Sequence, residues 1–322
     1  MKLKLLIASC ISLTVLSATI LVGCTESPQS SSLNLVPQTA NMIAEIQVNN
    51  IVNNPVWVSV YDLSPKNANY PRTVQDAINQ ITQKTGLNVQ NFSQVLIFGD
   101  TNSMQNPDRS YIGVIGQGKF NETQLIQNIE DNTGKNVTIS NYKGNQLYTN
   151  INDKYSLVFF SNEMLVFGSD RAVKDCIDVS KGDAKPLSGI IIDTYNKLSQ
   201  ASLKVACTLT AGAKQILQNE ISDSSGMFAK AISNGDTLGL SLNIGLLDVS
   251  LNLALHCPDI ASAQNARDIA SRAITLLADN ISPGLKNLLS KIQFNTSDVW
   301  TTASLKTSLL ELQSLSKVST NK

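Results

Sequence analysis

Histidine is all but absent: His256 is the only one in 322 residues. Metal sites built from several imidazoles, and proton relays that use more than one, are therefore excluded. Aromatic residues make up 5% and charged residues 16% of the chain, both sparse. Basic and acidic side chains balance at 25 each, so no single-signed field draws the chain to nucleic acid, and no nucleic-acid partner is expected. The five cysteines contain no C-x-x-C pair, which with one histidine leaves no zinc spacing. No metal and no cofactor are expected. What the chain has in quantity is asparagine, 32 residues of it.

Catalytic motifs fail when tested one by one. There is no G-x-x-x-x-G-K-S/T loop and no G-x-S-x-G elbow. Gly113, Gly116 and Gly118 run in the order G-x-x-G-x-G inside and just after an apolar strand, with no βαβ unit around them, so they read as strand glycines that permit close packing. His256 stands beside Cys257 at a strand end, where neighbours point to opposite faces, and reads as a hydrogen-bonded histidine rather than a base. Asp170 and Asp175 lack the spacing of a calcium loop. No catalytic, cofactor-binding or metal-binding residue is assigned, and the protein is expected not to be an enzyme. Cys207 and Cys257 could form a disulfide if their strands are neighbours; otherwise they are buried thiols, like Cys176.

The N-terminus carries the strongest signal. Lys2 and Lys4 precede an apolar stretch from Leu5 to Val22, which ends at Gly23-Cys24 and is followed by a polar segment rich in Ser, Pro and Gln. This has the form of a secretory signal peptide. Leu21-Val22-Gly23-Cys24 resembles the lipobox of bacterial lipoproteins, and the resemblance covers this segment alone. It implies cleavage before Cys24, a diacylglycerol on its sulfur and often an amide-linked, palmitate-type chain on the new amino terminus. Anchoring of that kind is stable because each buried methylene contributes about 0.8 kcal/mol. The family's sorting rule, with Thr25 after the cysteine, implies the outer membrane where an organism has one. Cleavage removes two lysines and no acid, leaving 23 basic against 25 acidic groups. A body this weakly acidic is expected to meet the membrane only through its lipid.

The rest reads as an α+β fold of antiparallel sheets with helices packed on one face. Residues 1–23 form the signal peptide, 24–34 a tether, 35–190 an N-terminal half and 191–322 a C-terminal half, either separate or packed as one domain. Strands are expected at 42–48, 95–99, 111–116, 136–140, 146–150, 155–160 and 164–168, with helices at 74–84, 121–131 and from Asp170 to Gly182. The second half should hold strands at 202–209, 237–244, 247–255 and 298–305, and helices at 211–232, 260–279, 284–291 and 306–316. Both halves follow the order strand, helix, strand, strand, helix, strand, as two degenerate copies of one β-α-β-β-α-β unit would. Of the 17 aromatics, 13 lie between Trp57 and Phe167, so the segments Asn53 to Arg72 and Asp100 to Ser110 are candidate binding loops for an unidentified protein or ligand. The expected role is non-enzymatic binding or structure in the cell envelope. Two alternatives stand beside it: a carrier of lipophilic molecules covered by helix 260–279, and an envelope hydrolase with paired carboxylates.

Overall fold

A computed structural model of the chain describes residues 30–63, 71–85, 89–102, 111–134, 136–150, 155–220, 226–279 and 281–312. The fold is α+β, with antiparallel strand pairing. It divides into two units, one ending at Ser188 and one beginning at Gly189.

The first unit runs α1 (Ser30–Leu33), β1 (Met42–Gln47), α2 (Val48–Val52), α3 (Pro55–Leu63), α4 (Val74–Thr85), β2 (Phe92–Gly99), β3 (Ile112–Gly118), α5 (Glu122–Thr133), β4 (Val137–Tyr142), β5 (Asn145–Asn150), β6 (Tyr155–Ser161), β7 (Met164–Ser169) and α6 (Asp170–Lys181). Its strands lie in the order β1-β2-β3-β7-β6-β5-β4. Local chemistry explains the ends of α5. Asn121 accepts from the Gln124 N–H at its start, and Gly134, with φ 64, closes it by donating to the Glu130 carbonyl. The turn between β4 and β5 takes Lys143 and Gly144 at φ 50 and 84, the left-handed pair that a two-residue hairpin favours. Phe98, Leu96, Ile43 and Ile115 fill the core across β1, β2 and β3.

Helices replace expected forms at three places: Ser30–Leu33 lies within the expected tether, Val48–Val52 begins at the end of the expected strand 42–48, and a third replaces a loop. The stretch from Asn53 was expected as a loop, yet Pro55 to Leu63 is helical. Proline suits the first helical position because its missing N–H has no helical partner there, Asn54 Oδ1 accepts from the Val56 N–H, and Val56 and Trp57 are buried.

The second unit runs α7 (Ile190–Lys197), β8 (Leu203–Thr208), α8 (Ala211–Glu220), α9 (Met227–Ser233), β9 (Thr237–Ile244), β10 (Asp248–His256), α10 (Ile260–Asp279), α11 (Pro283–Ser290), β11 (Gln293–Ser297) and β12 (Trp300–Ser308). Its strand order is β8-β9-β10-β12-β11. The final strand is longer than expected: Lys306, Thr307 and Ser308 pair with Ser250, Val249 and Asp248, and the cross-strand partners override the helical start expected there. Strand β11 was not anticipated because Gln-Phe-Asn-Thr-Ser holds one large apolar residue and lies at the sheet edge.

The two units share a connectivity. In each, three successive strands are neighbours, helices lie between the first and second and after the third, and a closing meander returns its last strand against the third. That returning strand is β7 beside β3 in one unit and β12 beside β10 in the other. The sixth elements of the two halves do not occupy equivalent places: Val137 begins the edge strand β4, and Val299 sits in the β11–β12 turn.

Candidate functional site

Alternation along the second unit's strands sorts its residues onto two faces. Leu203, Val205 and Cys207 of β8, Leu238, Leu240, Leu242 and Ile244 of β9, Val249, Leu251, Leu253 and Leu255 of β10, and Ala303 and Leu305 of β12 share one face by register. No charged residue stands among them. The opposite face carries Lys204, Ala206, Gly239, Ser241, Asn252, Ala254 and His256.

Burial runs against that division. Ala206, Gly239 and Ala254 form a fully buried row on the polar face, and Lys204 and Ser241 beside them are buried as well. α7 lies there: a methyl at Gly239 would approach Thr194 Cγ2 to 2.9 Å, and Lys204 Nζ sits 3.8 Å from the Tyr195 ring centre. On the apolar face the adjacent row, Val205, Leu240, Leu253 and Ala303, is only half-buried, as are Leu242, Leu251 and Leu305. At one end of the apolar face Ala263 and Ala266 of α10 and Ile232 of α9 pack on Leu255, Leu238 and Cys207, and Thr301 donates to the Ala263 carbonyl at 2.6 Å; at the other end Leu203, Ile244 and Thr307 are buried, so the half-buried residues form a band between. Water left on aliphatic surface costs about 25 cal/mol per Å². The second unit thus buries its small and polar side and leaves a band of leucines half-buried.

The residues singled out from sequence fall elsewhere. Cys24 lies outside the described residues, as do 64–70 and 103–110 of the two candidate loops. Cys176, Cys207 and Cys257 are free thiols. β9 separates Cys207 from β10, so their backbones stand about 10 Å apart or more, beyond the roughly 7 Å a disulfide spans. Burial pushes Cys207 up to about 11, and burial with the charges of Asp236 and Asp259 brings Cys257 to about 11, so both stay protonated near neutrality. His256 Nδ1 lies 2.6 Å from Asp236 Oδ1, and its ring meets Trp300 edge-on at 4.8 Å, a strand-end histidine held by its neighbours. Gly113, Gly116 and Gly118 leave room for the Phe98 ring, the Phe92 ring and the Asn91 carbonyl. Asp170 bonds Ser156 and Lys174, and Asp175 accepts from Tyr111 at 2.9 Å. Among the described residues no group of three or more His, Cys, Asp or Glu could hold a metal ion, and no helix is long and apolar enough to cross a membrane.

No family model and no curated protein matches this chain. Among solved structures, crystal form III of TP0453 is similar, with TM-score 0.51 and 10% identity over 89% of this chain and 98% of that one. Crystal form I of TP0453 gives TM-score 0.47 and 10% identity over 89% and 96%. At that identity the likeness with form III speaks for the fold alone.

The signal for the apolar face was present in the sequence as Leu-x-Leu-x-Leu in β9 and again in β10. Alternation shows which residues share a face; it does not show which face the helices leave open.

Proposed function

We propose that this protein is a lipid-anchored, non-enzymatic binding protein of the cell envelope, held on the exported side of the membrane through Cys24, that carries a lipophilic molecule on the apolar face of its second unit. The anchor reading rests on Leu21-Val22-Gly23-Cys24. The single observation that supports a carrier over a purely structural role is the half-buried row Val205, Leu240, Leu253 and Ala303 set against the fully buried row Ala206, Gly239 and Ala254. Aliphatic side chains without a charge among them suit acyl chains and reject polar ligands, which would lose hydrogen bonds to water without replacing them.

Native mass spectrometry of gently purified protein tests the reading. A bound lipid-sized mass is expected, and Leu240→Gln with Leu253→Gln should reduce its occupancy while circular dichroism stays that of the parent. Repeated preparations with no bound mass, at any added phospholipid or fatty acid, count against a carrier.

A further inference from the structure

We infer that Leu246, Leu247 and Leu310 form a membrane-docking tip that sets one end of the apolar face against a lipid bilayer. This rests on the carrier reading and names the partner from which the ligand is taken. Leu246 and Leu247 are the two loop residues of the β9–β10 hairpin, closed by the Gly245 N–H donating to the Asp248 carbonyl at 2.7 Å. They are 67% and 82% exposed, and Leu310 is 78% exposed. The Leu309 N–H donates to the Leu247 carbonyl at 3.0 Å, which brings Leu310 beside the loop.

Turn chemistry does not account for these leucines. Two-residue hairpin loops favour Asn-Gly and related pairs at positive φ. Only Lys143 and Asp298 among described non-glycine residues have positive φ, so neither leucine serves a left-handed turn. Their side chains also add nothing to the core. They do continue the apolar face, because Leu242 and Ile244 lead into the loop on β9, and Val249 and Leu251 lead out of it on β10.

The choice of a bilayer follows from size, shape and charge. Three leucine side chains expose far less than the roughly 1,000 Å² that a specific protein interface buries, and none is the Trp, Tyr or Arg that dominates such interfaces. A two-residue loop is convex, and fluid hydrocarbon closes around a convex apolar tip as a folded surface does not. Among the described residues the charges flanking these leucines pair off, Lys306 with Asp248 at 2.7 Å and Lys291 with Glu311. Among the described residues the tip therefore has no net charge with which to select anionic lipid.

The test uses the full chain on phosphatidylcholine vesicles, with Leu247→Cys carrying an NBD fluorophore and Gln264→Cys, exposed on α10, as the control site. Blue-shifted emission quenched by doxyl-labelled lipid is expected at position 247 and not at 264. Equal quenching is expected on vesicles with added phosphatidylglycerol. Leu246→Ser or Leu310→Ser should each weaken insertion about tenfold, as partial burial of one leucine implies. A label at 247 that stays in water, or that inserts only with anionic lipid, overturns the tip. If the bound lipid mass persists while quenching is absent, the tip fails and the carrier stands; quenching without any bound mass supports the tip and removes the carrier.

Discussion

Single residues set limits that can be measured one at a time. A methyl placed on Gly113 would come within 2.1 Å of Phe98 Cζ, in a core where Phe98 is fully buried. Gly113→Ala should therefore destabilise the protein by about 1–3 kcal/mol, the usual cost of overpacking, and Phe98→Leu should recover part of that loss in a urea titration. An unchanged midpoint would show that the ring moves freely. Asp259 caps α10, with Oδ1 accepting from the Ser262 N–H at 2.7 Å, and this bond holds its carboxyl below the ordinary value. A carboxyl depressed in the folded state stabilises the fold above its unfolded pKa of about 3.9 and loses that contribution as pH falls through the folded value. Asp259→Ala should thus lower the denaturant midpoint at pH 7 and converge with the parent at the acid end of a titration, whereas Asp259→Asn, whose amide oxygen can still accept, should lose less. Both cap and strand glycines are legible in the sequence, because each depends on a few neighbouring positions.

Elements depend on what they pack against. The β4–β5 hairpin, which includes the edge strand, is tied to α6 by Lys143, whose Nζ lies 2.7 Å from Asp178 and 2.6 Å from Asp183, and by the Tyr142 hydroxyl donating to Asp178 at 3.1 Å. Those two carboxylates raise the lysine above its ordinary pKa, so the tie persists across the neutral range. Replacing Lys143 with Met should speed amide exchange in β4 and β5 while leaving β1 to β3 unchanged, since an exposed ion pair adds little to global stability. Exchange that rises equally in all strands would show the hairpin to be part of one cooperative unit. The turn at Lys143-Gly144 can be read from sequence, but its partner cannot: Asp178 and Asp183 lie some 40 positions on and meet the lysine only because β7 returns past β6 to start α6. The same limit explains α3 and β11. Helix propensity around Pro55 and strand propensity around Phe294 are weak, and burial of Val56 and Trp57 in one case, and pairing with β12 in the other, decided the outcome.

At the scale of the whole molecule, the lipobox reading carries its own test. Cys24→Ala should abolish metabolic labelling with an alkyne fatty acid in a bacterial host, and persistent labelling would remove the anchor. What the sequence by itself determined is of the local kind: strand alternation of period two, helix caps, and the order of strands and helices. These are set by residues close in the chain, where propensity and hydrogen bonding act without help. The tertiary structure alone decided which face of the second unit's strands is covered. α7 lies on the small and polar side, α9 and α10 pack on one end of the leucine side, a band of it stays half-buried, and the β9–β10 turn carries two exposed leucines. The leucines are the same in either case; whether they are buried or left half-buried depends on where helices distant in sequence come to rest, and that is set by packing summed over the whole unit.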